Sequence, residues 1–389
     1  MADTLSSLPL VGTRDRGVVG AVLGGTWLPF DGLQFSKVVI NTSCKLYVPM
    51  GMLMFTDPTN IISSKFSLLR GAPLRIVVGK SDTEVTAYNF SLFSHKVTHT
   101  SEGHIYLLYF TADESAYLTG IADSPTDGTS AEAIQAIATA CSIAEVDLDK
   151  TADKQTWRPS FSKFCHFASQ IAQRGFIDNS SCMLLAMDML GRLRYKNVAG
   201  LDWNLAYVFN SGNPTIQATN VWSQSYFNNG GIYGDLGGVK ATTISQDAVN
   251  DTDTTHKTVE AKRISNVMNQ TTSERTAMGD KGQYIPAPIS AGNTHDSSAQ
   301  AAYQNRRLKN LLTTGVRVIT RAYMPDVQVL DPIHYEVWDF TARQSDAKNT
   351  GNYIITNKTI VLDQKDMMYN ECYELSRDGV TTDPQKLGA

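Results

Sequence analysis

The amino-terminal third of the chain alternates apolar and polar residues in short runs, and a period of two residues is typical of half-buried β-strands. Turn signals such as Asp31-Gly32 and Asp57-Pro58 separate these runs. Many short strands with regular turns predict a sandwich or barrel over residues 1–112. The predicted strands cover residues 37–40, 45–48, 74–78, 85–93 and 105–110.

After residue 112 the apolar positions recur at helical spacing. Thr129 and Glu132 have the spacing of a capping box, which predicts a helix that ends near Ile143. A second helix is predicted to begin at Ser160 and to stop at Gly175. Its predicted apolar stripe consists of Phe161, Phe164, Ala168 and Ile171.

The remaining segments predict a hairpin, an insertion, a helix and further strands. Apolar runs at 182–187 and 192–195 flank a turn and predict a hairpin. Small and polar residues dominate 229–300, which predicts a long irregular insertion. A third helix is predicted over 298–312, and the β pattern returns from Val316. The later strands are predicted at 327–330, 334–340, 353–356, 359–362 and 368–375.

Composition excludes several classes of protein. With 389 residues, of which 42% are hydrophobic and 19% charged, the chain is expected to hold two or three domains rather than disorder or a coiled coil. A net charge of −4 argues against a surface that wraps nucleic acid. No apolar run approaches the ~18 residues of a membrane span, and no secretory signal is expected. Five scattered cysteines predict reduced thiols in a chain made in a cytoplasm.

Charge is segregated in the middle of the chain. Residues 112–153 hold nine acids and one base, whereas residues 154–175 hold four bases and no acid. One interpretation is that both segments are solvated helix faces. The other is an electrostatic contact between copies of the chain or with a partner.

No motif predicts catalysis. The glycine-rich segments lack the lysine and the strand–turn–helix context of phosphate loops. His95 and His99 could lie on one strand face, but no further metal-ligand motif accompanies them. Cys165 and His166 are neighbours on a predicted helix and point about 100° apart. No acid lies in a diagnostic glycosidase motif, although paired carboxylates stay possible. The sequence therefore predicts no enzyme activity, cofactor or metal, and favours a structural or binding role.

Four segments, in this order, are typical of one family. The first is a strand and turn of the form Gly-Met-Leu-x-Phe-x-Asp-x-x-Asn, and its matching residues are Gly51, Met52, Leu53, Phe55, Asp57 and Asn60. The second is a Gly/Ser-rich turn that leads into a helix over residues 123–140. The third is Trp157 before a helix that carries Phe161 and Phe164 on its buried face and ends at Gly175, with a hairpin after it.

The fourth segment, residues 303–376, runs from a helix through a Thr-Gly turn into several strands. Together the four segments resemble the baseplate central hub proteins of contractile-tailed bacteriophages, whose architecture is related to that of the type VI secretion spike-hub protein. The chain has Asp331-Pro332 where the family often has Pro-Gly.

The resemblance implies a mainly β, α+β fold with two tube-like antiparallel β-barrels and a helix-containing insertion region. Three chains would form a trimeric ring with pseudo-sixfold symmetry. The implied domains are a first barrel over 1–112, a helix-hairpin domain over 113–199, and a second, discontinuous barrel over 200–228 with 306–376. A loop-rich insertion over 229–305 would pack with the helical domain, and a C-terminal tail would cover 377–389.

The resemblance further implies a symmetry adapter between the sixfold tail tube and the threefold central spike, with a channel for DNA ejection. Implied partners are two further copies, the spike, the tail tube or tube-initiator proteins, and a tape measure protein in the lumen, while DNA passes without specific binding. The implied location is the virion tail baseplate, assembled in the host cytoplasm. The alternatives are a tail-tip cell-wall hydrolase module and a receptor-binding protein, for which Tyr226, Phe227 and Tyr233 are aromatic residues outside the apparent core.

Overall fold

Strands dominate the structure, as the alternating pattern predicts. This computed structural model describes residues 11–12, 17–30, 33–112, 115–178, 181–228, 239–246, 254–261, 283–286, 301, 305, 314–346, 349–363 and 368–377.

Within these ranges the strands are β1 Val11–Gly12, β2 Val18–Leu23, β3 Thr26–Trp27, β4 Gln34–Ser43, β5 Met50–Asp57, β6 Pro73–Gly79, β7 Val85–Thr100, β8 Gly103–Ala112, β9 Ile121–Ala122, β10 Thr126–Gly128, β11 Val146–Leu148, β12 Gln155–Trp157, β13 Ser162–Lys163, β14 Met183–Met187, β15 Leu193–Asn197, β16 Tyr207–Ser211, β17 Thr219–Asn220, β18 Ser223–Asn228, β19 Val239–Gln246, β20 Thr254–Ala261, β21 Gln283–Pro286, β22 Thr314–Thr320, β23 Pro332–Asp339, β24 Gln344–Ser345, β25 Gly351–Asp363 and β26 Tyr369–Arg377. The helices are α1 Ile61–Lys65, α2 Ser115–Thr119, α3 Ser130–Ala140 and α4 Phe164–Arg174.

One large, mostly antiparallel sheet of sixteen strands joins the two ends of the chain. We call β1–β8 the first β unit, and β16–β18 with β22–β26 the second β unit. In the first unit the order is β2-β6-β7-β8-β5-β4. Strand β4 then pairs with β25 of the second unit, whose neighbours are β23 and β26. The fold is therefore mainly β, with its two β regions hydrogen-bonded to each other.

The apolar core falls into two principal clusters, and strand β14 lies between them. Its Met183 and Met187 pack in the cluster of the first β unit and the helices. Its Leu184 and Ala186 pack in the cluster of the second β unit. Because successive side chains of a strand point to opposite faces, this one strand contributes to both cores.

Residues 115–200, the helical segment, confirm two predictions. Helix α3 begins with a capping box in which Thr129 and Glu132 each bond the other's main chain. The predicted hairpin is β14–β15, with Met183 opposite Asn197 and Met187 opposite Leu193. The described part of this segment also contains small two- and three-stranded sheets.

Several predictions of secondary structure are wrong. Residues 45–48 form a turn before β5, because the Ser43 hydroxyl accepts a hydrogen bond from Lys45 N–H, and Val48 is buried without joining a ladder. Residues 327–330 form a buried loop in which Leu330 has φ +73°. The irregular insertion contains the three-stranded sheet β20-β19-β21. The predicted helix over 298–312 lies outside the described residues, except at Ala301 and Asn305.

Candidate functional site

The candidate site is the seam where β4 pairs with β25, because this pairing joins the two β units. Seven residue pairs form its antiparallel ladder, from Lys37 opposite Asp363 to Ser43 opposite Asn357. The first of these pairs also forms an ion pair at 3.5 Å. On the same side of the sheet, Thr359 Oγ1 donates to Asn41 Oδ1 at 2.9 Å. A ladder of this length fixes the two β units against each other, because strand pairing leaves no free hinge between them.

Strand β25 changes partners at a bulge. Its first residues pair with β23 and its later ones with β4, while β26 follows its opposite edge. The register shifts between Ile355 and Asn357, which leaves Thr356 as the extra residue. The carbonyl of Thr356 accepts from Cys44 N at 3.0 Å, so the first β unit satisfies the main-chain oxygen released by the bulge.

An ion pair is buried beneath the seam. Lys358 and Glu371 are both 0% exposed, and Lys358 Nζ lies 3.3 Å from Glu371 Oε2. The ammonium also donates to the carbonyls of Met324 at 2.7 Å and Val327 at 2.8 Å. Burial lowers the pKa of Lys358, and the nearby Glu371 carboxylate opposes that change. All three ammonium donors therefore have acceptors, as a buried cation requires.

Both carboxylate oxygens of Glu371 also accept hydrogen bonds. Glu371 Oε1 accepts from Tyr369 Oη at 2.5 Å and from Met324 N at 3.0 Å, and Tyr373 Oη donates to Oε2. Burial raises the pKa of Tyr369 and of Tyr373 well above the usual value, and the Glu371 carboxylate adds to it. Both phenols therefore stay protonated and act as donors.

Residues 321–331, the junction loop, connect this ion pair to the helical segment. Arg194 of β15 is 7% exposed and lies 2.8 Å from Asp331 and 3.1 Å from Asp147. Its Nη1 donates to the Val329 carbonyl at 2.6 Å. Nearby, Met189 N donates to Gln328 Oε1 at 3.2 Å. The loop that supplies carbonyls to Lys358 is thus fixed by the hairpin β14–β15, so that three parts of the chain meet there.

Sequence reasoning missed the Lys358–Glu371 pair. The two residues lie on adjacent strands, with Lys358 opposite Tyr373 and Thr359 opposite Cys372. The signal was present in the alternation, because Lys358 shares its face with the buried Ile360 and Leu362. A charge on the apolar face of a predicted strand indicates a buried partner.

The residues of the first predicted motif that lie on β5 have packing roles. Leu53 and Phe55 point into the core, and both are 0% exposed. A Cβ on Gly51 would lie 2.1 Å from the Val39 carbonyl oxygen, so the close approach of β4 requires glycine. Met52 lies on the opposite face of β5 and is half-buried.

Asp57 and Asn60 of the same motif fix the turn after β5. Asp57 is completely buried, and its carboxylate accepts from the main-chain N–H groups of Thr59, Ile61 and Ile62 at 2.8–3.2 Å. It therefore satisfies the start of helix α1. Asn60 has φ +59°, a left-handed conformation that asparagine tolerates.

The third predicted motif is only partly as expected. Trp157 is 3% exposed and donates to the Gly128 carbonyl at 2.9 Å, and Phe164 is half-buried against the core. Helix α4 ends before Gly175, where a Cβ would lie 1.5 Å from Tyr195 Oη. The prediction for Phe161 is wrong: the helix begins at Phe164, and Phe161 is 77% exposed.

The histidines and cysteines form no recognisable centre in the described ranges. His99 faces His104 across the β7–β8 ladder with ring centroids 4.3 Å apart, and His95 lies opposite Leu108. Cys165 is buried, and His166 points to solvent. Among the residues that the structure describes, no group of three or more His, Cys, Asp and Glu side chains could hold a metal ion. None of the described helices is long and apolar enough to cross a membrane.

Comparison with known proteins identifies solved structures that have a similar architecture. No protein-family model matches the chain, and a search of curated proteins finds no significant match. Among solved structures, the chain is similar to a tail protein of Neisseria meningitidis, with a TM-score of 0.60, 12% identity, and coverage of 94% of this chain and 97% of that one. It is also similar to a 43 kDa tail protein of the Shewanella oneidensis prophage MuSo2, with a TM-score of 0.61, 11% identity, and coverage of 94% and 99%.

An Escherichia coli component of the type VI secretion system is more distant, with a TM-score of 0.50, 8% identity, and coverage of 92% of this chain and 76% of that one. The three similarities each span more than nine tenths of this chain. The chain therefore shares a mainly β fold with phage tail proteins, the class of protein that its four sequence segments resemble.

Proposed function

We propose that the chain is the central hub of a phage tail baseplate, and that it joins a sixfold tail tube to a threefold spike. The observation that carries this proposal is the β4–β25 ladder, which holds two β units side by side in one chain. Three such chains present six β units in a ring. A ring of this kind matches sixfold symmetry on one side and threefold symmetry on the other.

The assembly that this proposal requires is a homotrimer closed by heterologous contacts. Each β unit would form a tube-like barrel, with the domain limits 1–112, 113–199, 200–228 with 306–376, 229–305 and 377–389. The rigid seam supports this arrangement, because a hinge between the units would let neighbouring barrels lose their common orientation. The fold shared with phage tail proteins supports the same location in the virion.

The proposed partners are the central spike below the ring and the tail tube or its initiator above it, with a tape measure protein in the lumen. DNA would pass through the ring during ejection. A net charge of −4 suits a wall that must not retain phosphates, because tight DNA binding depends on dense basic contacts. The role is structural and not enzymatic, in keeping with the tail proteins that share the fold.

The deciding experiment is native mass spectrometry of the purified chain, with micrographs of the same sample. The expected result is three times the 42.6 kDa chain mass and a ring with threefold symmetry. A chain that stays monomeric alone and also fails to assemble with its spike protein would contradict the adapter mechanism.

A further inference from the structure

Strand β14 lies at the edge of its small sheet. In the three-stranded sheet β11-β15-β14 it pairs with β15 alone. The ladder continues beyond both ends of the strand, where Val198 N donates to the Cys182 carbonyl and Asp188 N donates to the Arg192 carbonyl. Hydrogen-bonded pairs alternate along an antiparallel ladder. The even-numbered residues of β14 therefore bond β15, and the odd-numbered residues turn their main-chain groups to the outer edge.

The two ends of this outer edge have partners. Met183 N donates to Asn305 Oδ1 at 2.9 Å, and the Met187 carbonyl accepts from Thr42 Oγ1 at 2.7 Å. Between these bonds lie the Met183 carbonyl, the N–H and carbonyl of Leu185, and Met187 N, which bond no residue that the structure describes. The unpaired stretch is about 13 Å long, which is the length of four or five extended residues.

A cleft runs along the same edge. Its volume is about 320 Å³, within the range of ligand pockets, and all five residues of β14 line it. Asn305, which bonds the outer edge, lines it as well. Its other described walls include Ser169 and Gln173 of α4 and the turn over residues 44–47. Because Tyr47 and Gln173 are exposed, the cleft is open to solvent beside the unpaired main-chain groups.

Strand β14 lacks the features that protect edge strands from strand addition. Such strands usually carry a charge, a proline or a bulge. The sequence of β14 is Met-Leu-Leu-Ala-Met, and its ladder with β15 has no register shift. Helix α4 and the turn over residues 44–47 border the edge instead. A single extended segment can enter between such walls, whereas the edge of another folded sheet cannot.

The charge of the cleft favours an acidic segment. Its described lining contains one base, Lys45, and no acid. Lys45 is exposed, and its ammonium forms no ion pair with a residue that the structure describes. Helix α4 belongs to residues 154–175, which hold four bases and no acid. Acidic side chains on an incoming segment would therefore complement the cleft.

We infer that the cleft binds an extended, acidic segment of a partner protein, which adds a strand to the outer edge of β14. Leu185 exchanges two main-chain hydrogen bonds with one residue of that segment, as in other cases of strand addition. Lys45 faces its acidic side chains. The inference goes beyond the proposed hub function and does not depend on the number of copies in a ring.

The first test uses peptide probes and the purified full-length chain. The probes are a pool of heptapeptides with glutamate at both ends and serine, threonine, valine or leucine at the inner positions. Leu185→Pro is the blocked variant, because it removes the outward N–H while proline is compatible with an edge strand. The immobilised wild-type chain is expected to retain peptides at least tenfold better than Leu185→Pro. Equal retention would overturn the inference.

A second variant keeps the test decisive if Leu185→Pro fails to fold. Gln173→Trp places a large side chain in the cleft from an exposed position on α4, and it should lower retention at least tenfold. Gln170→Trp is the matched control, because Gln170 is exposed on the same helix and is not among the described lining residues. It should retain peptides as the wild type does. Similar retention by Gln173→Trp and Gln170→Trp would contradict binding in the cleft.

Hydrogen–deuterium exchange identifies the mode of binding. A retained peptide is expected to slow exchange of the Leu185 and Met187 amides at least tenfold, because both N–H groups become hydrogen-bonded. Unchanged exchange at both amides would overturn strand addition. Lys45→Glu should weaken binding of the same peptide at least threefold, and a peptide with lysine in place of both glutamates should prefer this variant. An affinity that ignores both charge changes would overturn the acidic character of the segment.

Sedimentation velocity distinguishes a partner protein from a second copy. Gln173→Trp is expected to sediment with the same mass as the wild type, because the segment comes from another protein. Loss of the wild-type assembly in Gln173→Trp but not in Gln170→Trp would assign the cleft to a second copy and overturn the inference. The proposed hub function would stand in that case, since it requires contacts between copies.

Discussion

The two β units differ in how many charged side chains their interiors contain. In the described part of the first unit, Asp57 is the only buried carboxylate or base, and it serves a local helix start. The interior of the second unit holds several buried ionic side chains, which are Glu336, Lys358, Glu371 and Arg377. The first unit is therefore stabilised mainly by apolar burial, and the second carries charges that need particular partners.

Apolar and ionic interiors differ in how strictly they fix the positions of the side chains within them. Apolar burial is not directional, so a core of Leu53, Phe55 and similar residues tolerates small shifts. A buried ion pair is satisfied in one arrangement only, because any slip leaves a desolvated charge without a partner. The pair Lys358–Glu371 lies under the strand that joins the two units and bonds the junction loop. We expect it to fix the position of that loop more than to add net stability.

The largest expected effect breaks the buried pair. Lys358→Met leaves the Glu371 carboxylate desolvated without its counter-charge and should lower the free energy of unfolding by about 3–5 kcal/mol. Urea unfolding followed by circular dichroism measures it. The control is Lys358→Met combined with Glu371→Leu, which should cost less than the single change. Strictly additive effects would contradict the view that the second unit depends on pairing.

The corresponding change in the first unit opens a cavity. Leu53→Ala should cost about 2–5 kcal/mol, because its side chain is completely buried. Met52→Ala is the matched control, since Met52 is the neighbouring residue on the half-buried face of the same strand, and it should cost less. The same unfolding titration compares the two, and equal losses would show that the outer face is as tightly packed as the core.

A smaller effect tests the geometry of the junction loop. Arg194→Lys keeps the charge but loses the planar fork that reaches Asp331, Asp147 and the Val329 carbonyl, so it should cost about 1.5–3 kcal/mol. Arg317→Lys is the control: its side chain is 70% exposed and lies 3.5 Å from Glu374, so its loss should stay below about 1 kcal/mol. Thermal unfolding that ranks the two variants in the opposite order would contradict the role given to Arg194.

The smallest effect depends on pH. Burial opposes ionisation of Asp147, but hydrogen bonds from Lys196 and Arg194 prevail and lower the pKa of Asp147. A lowered pKa stabilises the fold above the pKa of the unfolded chain, and this contribution disappears as the pH falls through the folded value. Asp147→Asn should therefore cost less than about 1 kcal/mol at neutral pH, since the group is partly exposed, and nothing in strong acid. A cost of Asp147→Asn that stays constant with pH would argue against the ion pair.

Local patterns in the sequence predicted the elements whose determinants are close in the chain. The capping box of Thr129 and Glu132 and the hairpin β14–β15 are examples, because neighbouring residues decide them. The prediction of a strand at 327–330 was wrong for a different reason. Their apolar side chains are buried as a strand's would be, but Gln328 N bonds the Asp331 carboxylate and turns the main chain into a loop. Burial alone does not distinguish a buried loop from a strand.

The candidate site was predictable only in part. The motif from Gly51 to Asn60 includes a glycine required by the close approach of two strands and an aspartate that caps a helix. The sequence did not show which strand or which main-chain groups these residues contact. The seam could not be found by local reasoning, because β4 and β25 lie more than 300 residues apart along the chain. Phe161 was assigned to a buried helix face because its spacing fitted, and nothing local revealed the turn that keeps it in solvent.

The seam also determines when the chain can finish folding during synthesis. Strand β4 lies near the start of the chain and its partner β25 near the end, so the edge of β4 stays open while the residues between them are translated. At about 5–20 residues per second this interval lasts on the order of tens of seconds. An open strand edge invites pairing with other nascent chains. Completion of β25 closes that edge, so a chain that stops before Gly351 cannot form the seam between its two β units.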